Sequence, residues 1–309
     1  MMKLIYKSAI LVSLAIFTIF AVIYLQPVDQ NKYLAATIDK HRILASTQQP
    51  RMIFVGDSNL AFGLDSAMVE RATGYNVVNM GLHGGLGLNY YMDELKPHLK
   101  RGDVVIIIID YQNYFFDGSG ANTLVEITIF NPGIIRYYSA GSLYNFIVAV
   151  PLAFQRRLQG AFSSAGDDMA FMRSAFNEHG DNVAHLKLPQ PKLLAPERPM
   201  PEKVSDGVLR LYNEFYDEWT PRGIRIYLSF SPLLIQDRDK QMKALGKLYK
   251  DLVNRVKIPI IGLPTDFMYP ADLFYDNIFH LNGKGRELRT KALIRQIKKV
   301  PELAAVPKK

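Results

Sequence analysis

Val104-Val-Ile-Ile-Ile-Ile109 is an unbroken run of β-branched residues closed off by the turn Arg101-Gly-Asp103. A strand apolar on both faces is buried on both faces, and that is the condition of a central strand in a parallel sheet. Four further runs read as strands: Met52–Val55, Tyr75–Asn79, Gly223–Phe230 and Ile258–Gly262. Stretches of helical period separate them, at Leu64–Thr73, Leu88–Leu99, Glu202–Thr220 and Asp237–Arg255, and Gly283–Lys299 closes the chain. Strand and helix alternating in this way predict an α/β fold: a three-layer α/β/α, doubly wound, mainly parallel five-stranded sheet of flavodoxin-like type. The rhythm breaks between Tyr114 and Pro201. That insertion holds Leu143–Phe154, twelve mostly apolar residues followed by Arg156 and Arg157, and reads either as a helical cap on the domain or as a segment lying in a membrane interface. Lys187–Pro201, with five prolines, reads as a loop.

Ser8–Leu25 carries no charge over eighteen residues. As a helix it is about 27 Å long, close to the hydrocarbon thickness of a bilayer. Lys3 and Lys7 precede it and Gln26-Pro-Val-Asp-Gln follows, so the positive-inside rule puts the N-terminus in the cytoplasm and the rest outside. A cleaved signal peptide is the competing reading; the run exceeds a usual signal core, and no small-x-small site follows it closely. The expected organisation is an anchor over residues 1–30 and one α/β domain over 31–309 interrupted at about 114–201. Gln26–Gln49, polar with helical stretches, is expected to space the domain from the membrane. The chain would then be a single-pass protein of the cytoplasmic membrane with its domain on the extracytoplasmic, periplasmic side. The absence of cysteine excludes a thiol nucleophile, a zinc-thiolate site and a disulfide framework. A net charge of +8 is dispersed rather than interleaved with aromatics, which argues against nucleic acid as partner and suits an anionic lipid or surface polymer.

Two stretches bear chemistry. In Gly56-Asp57-Ser58 the serine sits just past a strand end, and Asn59–Phe62 opens the next helix, so a nucleophile there would lie beside backbone N–H donors. Read alone, Gly-Asp-Ser is also an ordinary turn and helix cap. The second stretch is Asp272–Gly285, where Asp276 and His280 are four residues apart, one helical turn, just before the last helix. A serine nucleophile needs a base, and a histidine held by a carboxylate is its commonest supplier. Between them, Met80–Gly87 is a glycine-rich loop that lacks the ending of a P-loop and the spacing of a dinucleotide fingerprint.

The conjunction of Gly56-Asp57-Ser58 early, Asp276…His280-Leu-Asn282 late and a doubly wound sheet resembles the SGNH (GDSL-like) hydrolases. More narrowly, it is similar to the membrane-anchored members associated with acylation of cell-surface polymers. The resemblance implies Ser58 as nucleophile with its N–H as an oxyanion donor, His280 as general base and Asp276 as the carboxylate orienting it. Asn79-Met-Gly-Leu-His-Gly84 matches the second block, so Gly84 is the second oxyanion donor, with Gly81 as the other choice. Phe176-Asn-Glu-His-Gly-Asp181 also resembles a stretch of the anchored subgroup, without a physical role legible in the residues. Two departures stand out: the family places its Asp three residues before the His, where this chain has Asn277, and the Gly-x-Asn-Asp block is replaced by Ile109-Asp110-Tyr-Gln-Asn113. Asn113 is the candidate for the missing third donor. The implied activity is that of a serine esterase or O-acyltransferase acting on an acyl group, in the first place O-acetyl, of a cell-surface polysaccharide, with no cofactor and no metal. The implied partners are a surface glycan or other acylated polymer and a membrane acyltransferase; the rival from another class is a non-catalytic scaffold.

Overall fold

The computed structural model describes residues 1–115, 123–159, 169–192, 202–304 and 306. Its central strand is the one the apolar run predicts. β1 (Arg51–Gly56), β2 (Asn76–Asn79), β3 (Val104–Ile108) and β4 (Arg225–Leu228) form one parallel sheet in the order β2-β1-β3-β4. Every residue of β1 and β3 is buried, as two-sided coverage requires. The fifth expected strand shrinks to a single parallel bridge, Leu228 with Ile260, made by the Leu228 N–H to Pro259 O and the Ile261 N–H to Leu228 O. Pro259 has no N–H to give a ladder, which limits this edge to one bridge. A separate pair, β5 (Leu233–Leu234) with β6 (Met268–Tyr269), is also parallel.

The helices are α1 (Met2–Leu25), α2 (Ala36–Ser46), α3 (Ser58–Gly63), α4 (Ser66–Thr73), α5 (Gly87–Asp93), α6 (Thr123–Phe130), α7 (Ala140–Leu158), α8 (Asp206–Trp219), α9 (Arg238–Arg255) and α10 (Gly283–Ile297). α10 packs on α3 and α4, and α5 on α8. The chain moves from β1 outward to β2 and then back past β1 to β3. Right-handed crossovers therefore lay successive helices on opposite faces and leave a switch point between β1 and β3. The α5 helix is shorter than the expected Leu88–Leu99, giving way to turns after Asp93.

The far edge of the sheet is clamped by a fully buried ion pair. Arg51 donates to Asp103 through Nε at 2.9 Å and Nη2 at 2.5 Å, and its remaining donors reach Leu44 O and His98 O. At the opposite end Gly56 lies so close to β3 that an added Cβ would sit 1.8 Å from Ile108 O; no other residue lets β1 finish there.

Residues 33–46 are not a spacer. Tyr33, Leu34, Ala35, Ala36 and Leu44 belong to the main core, and Lys40 is buried with its ammonium donating to Asn79 O at 2.8 Å and Gly180 O at 2.6 Å. The insertion is also divided. Residues 169–188 and Leu124, Ile127 and Phe130 of α6 pack into the domain, whereas α7 and Val125 on the other side of α6 build a second apolar cluster with the end of α1 around Ile23, Phe146, Ala149 and Ala153. The insertion residues of 116–122, 160–168 and 193–201 lie outside the described residues, as do 305 and 307–309. Of the described chain only α1 is long and apolar enough to cross a membrane; an N-terminal signal sequence meets the same description.

Candidate active site

β1 delivers Asp57 and Ser58 to the switch point. Asp57 caps α3, accepting from the Asn59 N–H at 2.9 Å, and it is almost fully buried. Its other oxygen accepts from the Asp110 N–H at 2.6 Å, so one carboxylate ties the loop after β1 to the loop after β3. Burial pushes the Asp57 carboxyl above the usual range, against the pull of these hydrogen bonds and of His280. The cap reading of Gly-Asp-Ser thus applies to Asp57, and among the described residues the Ser58 side chain makes no hydrogen bond.

Ser58, Gly84 and His280 border one cleft of about 600 Å³, together with Tyr33, His83, Asp110, Phe171 and the loop 277–279. A volume of this order fits a sugar-sized ligand. His280 is held from two sides. Its ring stacks on Phe62 of α3, centroids 3.9 Å apart and planes within 6°. Its Nδ1 lies 2.8 Å from Asp276 Oδ1. The turn carrying both is closed by the antiparallel bridge Phe274–Leu281 and by Asn277 Oδ1, which accepts from the N–H groups of Phe279 and His280. Those bonds fix the Asn277 amide with its nitrogen 2.9 Å from His280 Nδ1. One nitrogen cannot donate to Asp276 and accept from Asn277. The charge-assisted bond is the stronger, so Nδ1 carries the proton and Nε2 is left as the acceptor.

The backbone N–H groups of Ser58 and Gly84 have no hydrogen-bond partner among the described residues, and both residues line the cleft. Gly81 is different: its N–H donates to Asn79 Oδ1 at 2.9 Å, and an added Cβ there would lie 2.4 Å from Leu60 Cβ and 2.8 Å from Asp57 O. Asn113 is not brought to the cleft. Its amide nitrogen faces Asp57 Oδ2 at 3.4 Å and Asp110 Oδ2 at 3.5 Å, so the two carboxylates of the switch point take the hydrogens that were expected to serve an oxyanion. Ser58 and His280 make no direct hydrogen bond among the described residues; unliganded catalytic pairs commonly tighten only around substrate.

Two features of the site escaped the sequence. His83, read only as part of a glycine-rich loop, is exposed on the cleft and accepts the Gly85 N–H on Nδ1 at 3.0 Å, which leaves Nε2 as its protonated nitrogen. Phe176–Asp181 acquires a role as well. Asp181 is fully buried and accepts from Ser66 N–H and Oγ, Asn79 Nδ2 and Arg286 Nη2, at 2.6 to 2.9 Å. It thereby joins α4, the end of β2 and α10. Gly180 runs with φ +87°, where an added Cβ would lie 2.3 Å from Asn79 O. His185, buried behind the site and pushed down to about 4 mainly by that burial, is a neutral support for the loop, its Nε2 bonding Leu281 O at 3.1 Å.

No family model and no curated protein matches the chain. Among solved structures it is similar to a Streptococcus pneumonia protein put forward as a platelet activating factor, at 12% identity and TM-score 0.36, over 92% of this chain and 97% of that one. It is also similar to a family two carbohydrate esterase from Clostridium thermocellum, solved in complex with cellohexaose, at 12% identity and TM-score 0.34. That match covers 81% of this chain and 64% of the esterase. Likenesses at this level do not assign an activity; the α/β fold itself stands on the sheet described above.

Proposed function

We propose that this protein is an SGNH-type serine esterase or O-acyltransferase that handles an ester-linked acyl group, acetyl in the simplest case, on a cell-surface polysaccharide from the extracytoplasmic side of the membrane. The observation that supports it most is the shared cleft: Ser58 and His280 on its wall, with Asp276 hydrogen-bonded to the far nitrogen of the imidazole. In this reading Ser58 Oγ attacks the acyl carbonyl and passes its proton to His280 Nε2. The free N–H groups of Ser58 and Gly84 receive the oxyanion. The alkoxide leaving group takes the proton from His280; water or a second sugar hydroxyl then attacks the acyl carbonyl while giving its proton to His280 Nε2, and Ser58 Oγ leaves and recovers that proton. The test is a fluorophosphonate probe on the purified full chain. Labelling located at Ser58 by peptide mapping, and lost in His280→Ala, is expected; a wild-type Ser58 inert to the probe would sink the enzyme reading.

The turn of Asn113 away from the cleft favours one second reading, a non-catalytic anchored scaffold that binds glycan or a membrane acyltransferase. Such a protein would leave Ser58 unlabelled and keep its cellular effect in Ser58→Ala.

A further inference from the structure

The α7 helix has two apolar faces. Its inner face, Phe146, Ala149 and Ala153, packs with Ile19 and Ile23 of α1. Its outer face exposes Leu143, Tyr144, Ile147, Val148 and Leu152, from 42% to 67%. These positions fall at spacings of three and four, so they form one continuous stripe along the helix. Contiguous exposed apolar surface of this kind marks an interaction site rather than ordinary surface.

Both ends of α7 are pinned. At its start the Ser139 N–H and Ser142 Oγ donate to Asp93 at 2.8 and 2.6 Å, fixing it to the end of α5. At its end Arg157 Nη2 donates to Gln26 O at 2.5 Å and Pro27 O at 3.3 Å, the carbonyls where α1 stops. The helix therefore lies across the exit of α1 and cannot swing away from it. Tyr144 in the first turn of the stripe and Arg156 beyond its last residue are the kind of pairing that sits at a membrane–water boundary.

We infer that the outer face of α7 is seated in the acyl-chain boundary of the same bilayer that α1 crosses, so that the domain docks flat on the membrane instead of hanging from a tether. Lipid is the occupant argued for because the helix that carries the stripe packs by its other face directly on α1, whose own Leu14 and Phe17 are equally bare. The inference rests on the membrane-spanning part of the proposed function and not on its chemistry.

The chain has no cysteine, so single-site labels need no background removal. The full chain carrying Phe17→Cys, Tyr144→Cys, Val148→Cys or Val253→Cys, each spin-labelled, is reconstituted in phosphatidylethanolamine–phosphatidylglycerol vesicles. Relaxation by oxygen, which concentrates in lipid, is compared with relaxation by a water-soluble nickel chelate. Labels at 17, 144 and 148 are expected to respond to oxygen, and the label at 253, on the exposed side of α9, to nickel. If 17 responds to oxygen while 144 and 148 follow 253, the docking is wrong and the anchor stands. If 17 also follows 253, the anchor reading falls and the docking with it. If neither reagent reaches 144 and 148, a second copy of the chain covers the stripe and the lipid assignment is overturned.

Discussion

His280 Nδ1 faces two partners with opposite demands: the Asp276 carboxylate needs a proton there, and the Asn277 amide needs a lone pair. The choice sets which nitrogen reaches the cleft. Replacing Asp276 by Asn removes the charge that decides it, and the imidazole then adopts the tautomer that cannot act as a base. In a serine triad that change costs about four orders of magnitude in kcat. Asn277 touches the same nitrogen, so the exchanged pair Asp276→Asn with Asn277→Asp supplies a carboxylate from the neighbouring position. Most of the loss is expected to be recovered by that double variant in acetyl-ester hydrolysis; no recovery would mean that Asp276 acts through something other than the imidazole. Ser58→Ala, His280→Ala and their combination are expected to share one residual rate, because a unit that has lost one member has little left to lose. Additive losses would separate the two residues. His83→Ala tests the third donor. If its Nε2–H replaces the amide that Asn113 turns away, kcat falls by about two orders of magnitude with KM little changed.

At the scale of elements, the site depends on a loop far from it in sequence. Asp181 is the acceptor at which α4, β2 and α10 meet, and Asn79, one of its donors, also holds the Gly81 N–H of the loop leading to Gly84. Asp181→Ala removes the close partner of the buried Arg286 charge, leaving it Leu64 O and Asp65 at 3.9 Å; breaking a buried pair costs about 3–5 kcal/mol, and the change is expected to lower the unfolding midpoint and the proposed esterase activity together. Lys40 sits behind the same loop. Burial pulls its ammonium down to about 7 from an ordinary 10.5. Between those values the unfolded chain holds a proton that the folded chain has lost, so stability rises with pH across this window and the full cost of the buried charge is felt below it. Unfolding free energies of wild type minus Lys40→Met are expected to gain about 2 kcal/mol from pH 7 to 9. A flat difference would place the lysine's titration elsewhere. These elements mark what the sequence could and could not reveal. β1, β3 and the capped α3 were legible because buried strands and Asp caps leave local signatures. Ile258–Gly262 looked like a fifth strand by composition, but Pro259 and the sheet edge decided otherwise. Residues 33–46 looked like a spacer because their burial rests on single long-range contacts, such as Tyr33 Oη to Leu82 O and Lys40 to Gly180 O. Asp276 and His280 were legible by spacing, whereas the competition at Nδ1 depends on a turn that only the fold provides.

For the molecule as a whole, the question is whether α1 is a removable leader or a structural part. The end of α1 is built into the domain: Ile23 is fully buried among α6 and α7, and Tyr24 Oη shares a 2.7 Å hydrogen bond with Thr128 Oγ1. Arg157 closes on the carbonyls that follow. Cleavage after this helix would leave an apolar cavity between α6 and α7 and take away the Tyr24 partner of the buried Thr128, whose hydroxyl keeps only Val125 O. Replacing Ile23 by Ala alone is expected to cost about 2–5 kcal/mol, the range for deleting a fully buried aliphatic side chain. A leader awaiting removal has no reason to carry that coupling. The chain recovered from membranes is therefore expected to retain its N-terminal segment by intact mass. If the proposed topology holds, with Lys3 and Lys7 keeping the short end in the cytoplasm, a protease added to spheroplasts is expected to digest the domain while α1 stays protected. A mature chain that begins after Leu25 would make α1 a leader and its packing on α7 incidental. A domain that survives in intact spheroplasts and is cut only after lysis would reverse the topology, and an envelope polysaccharide would then be out of reach of Ser58.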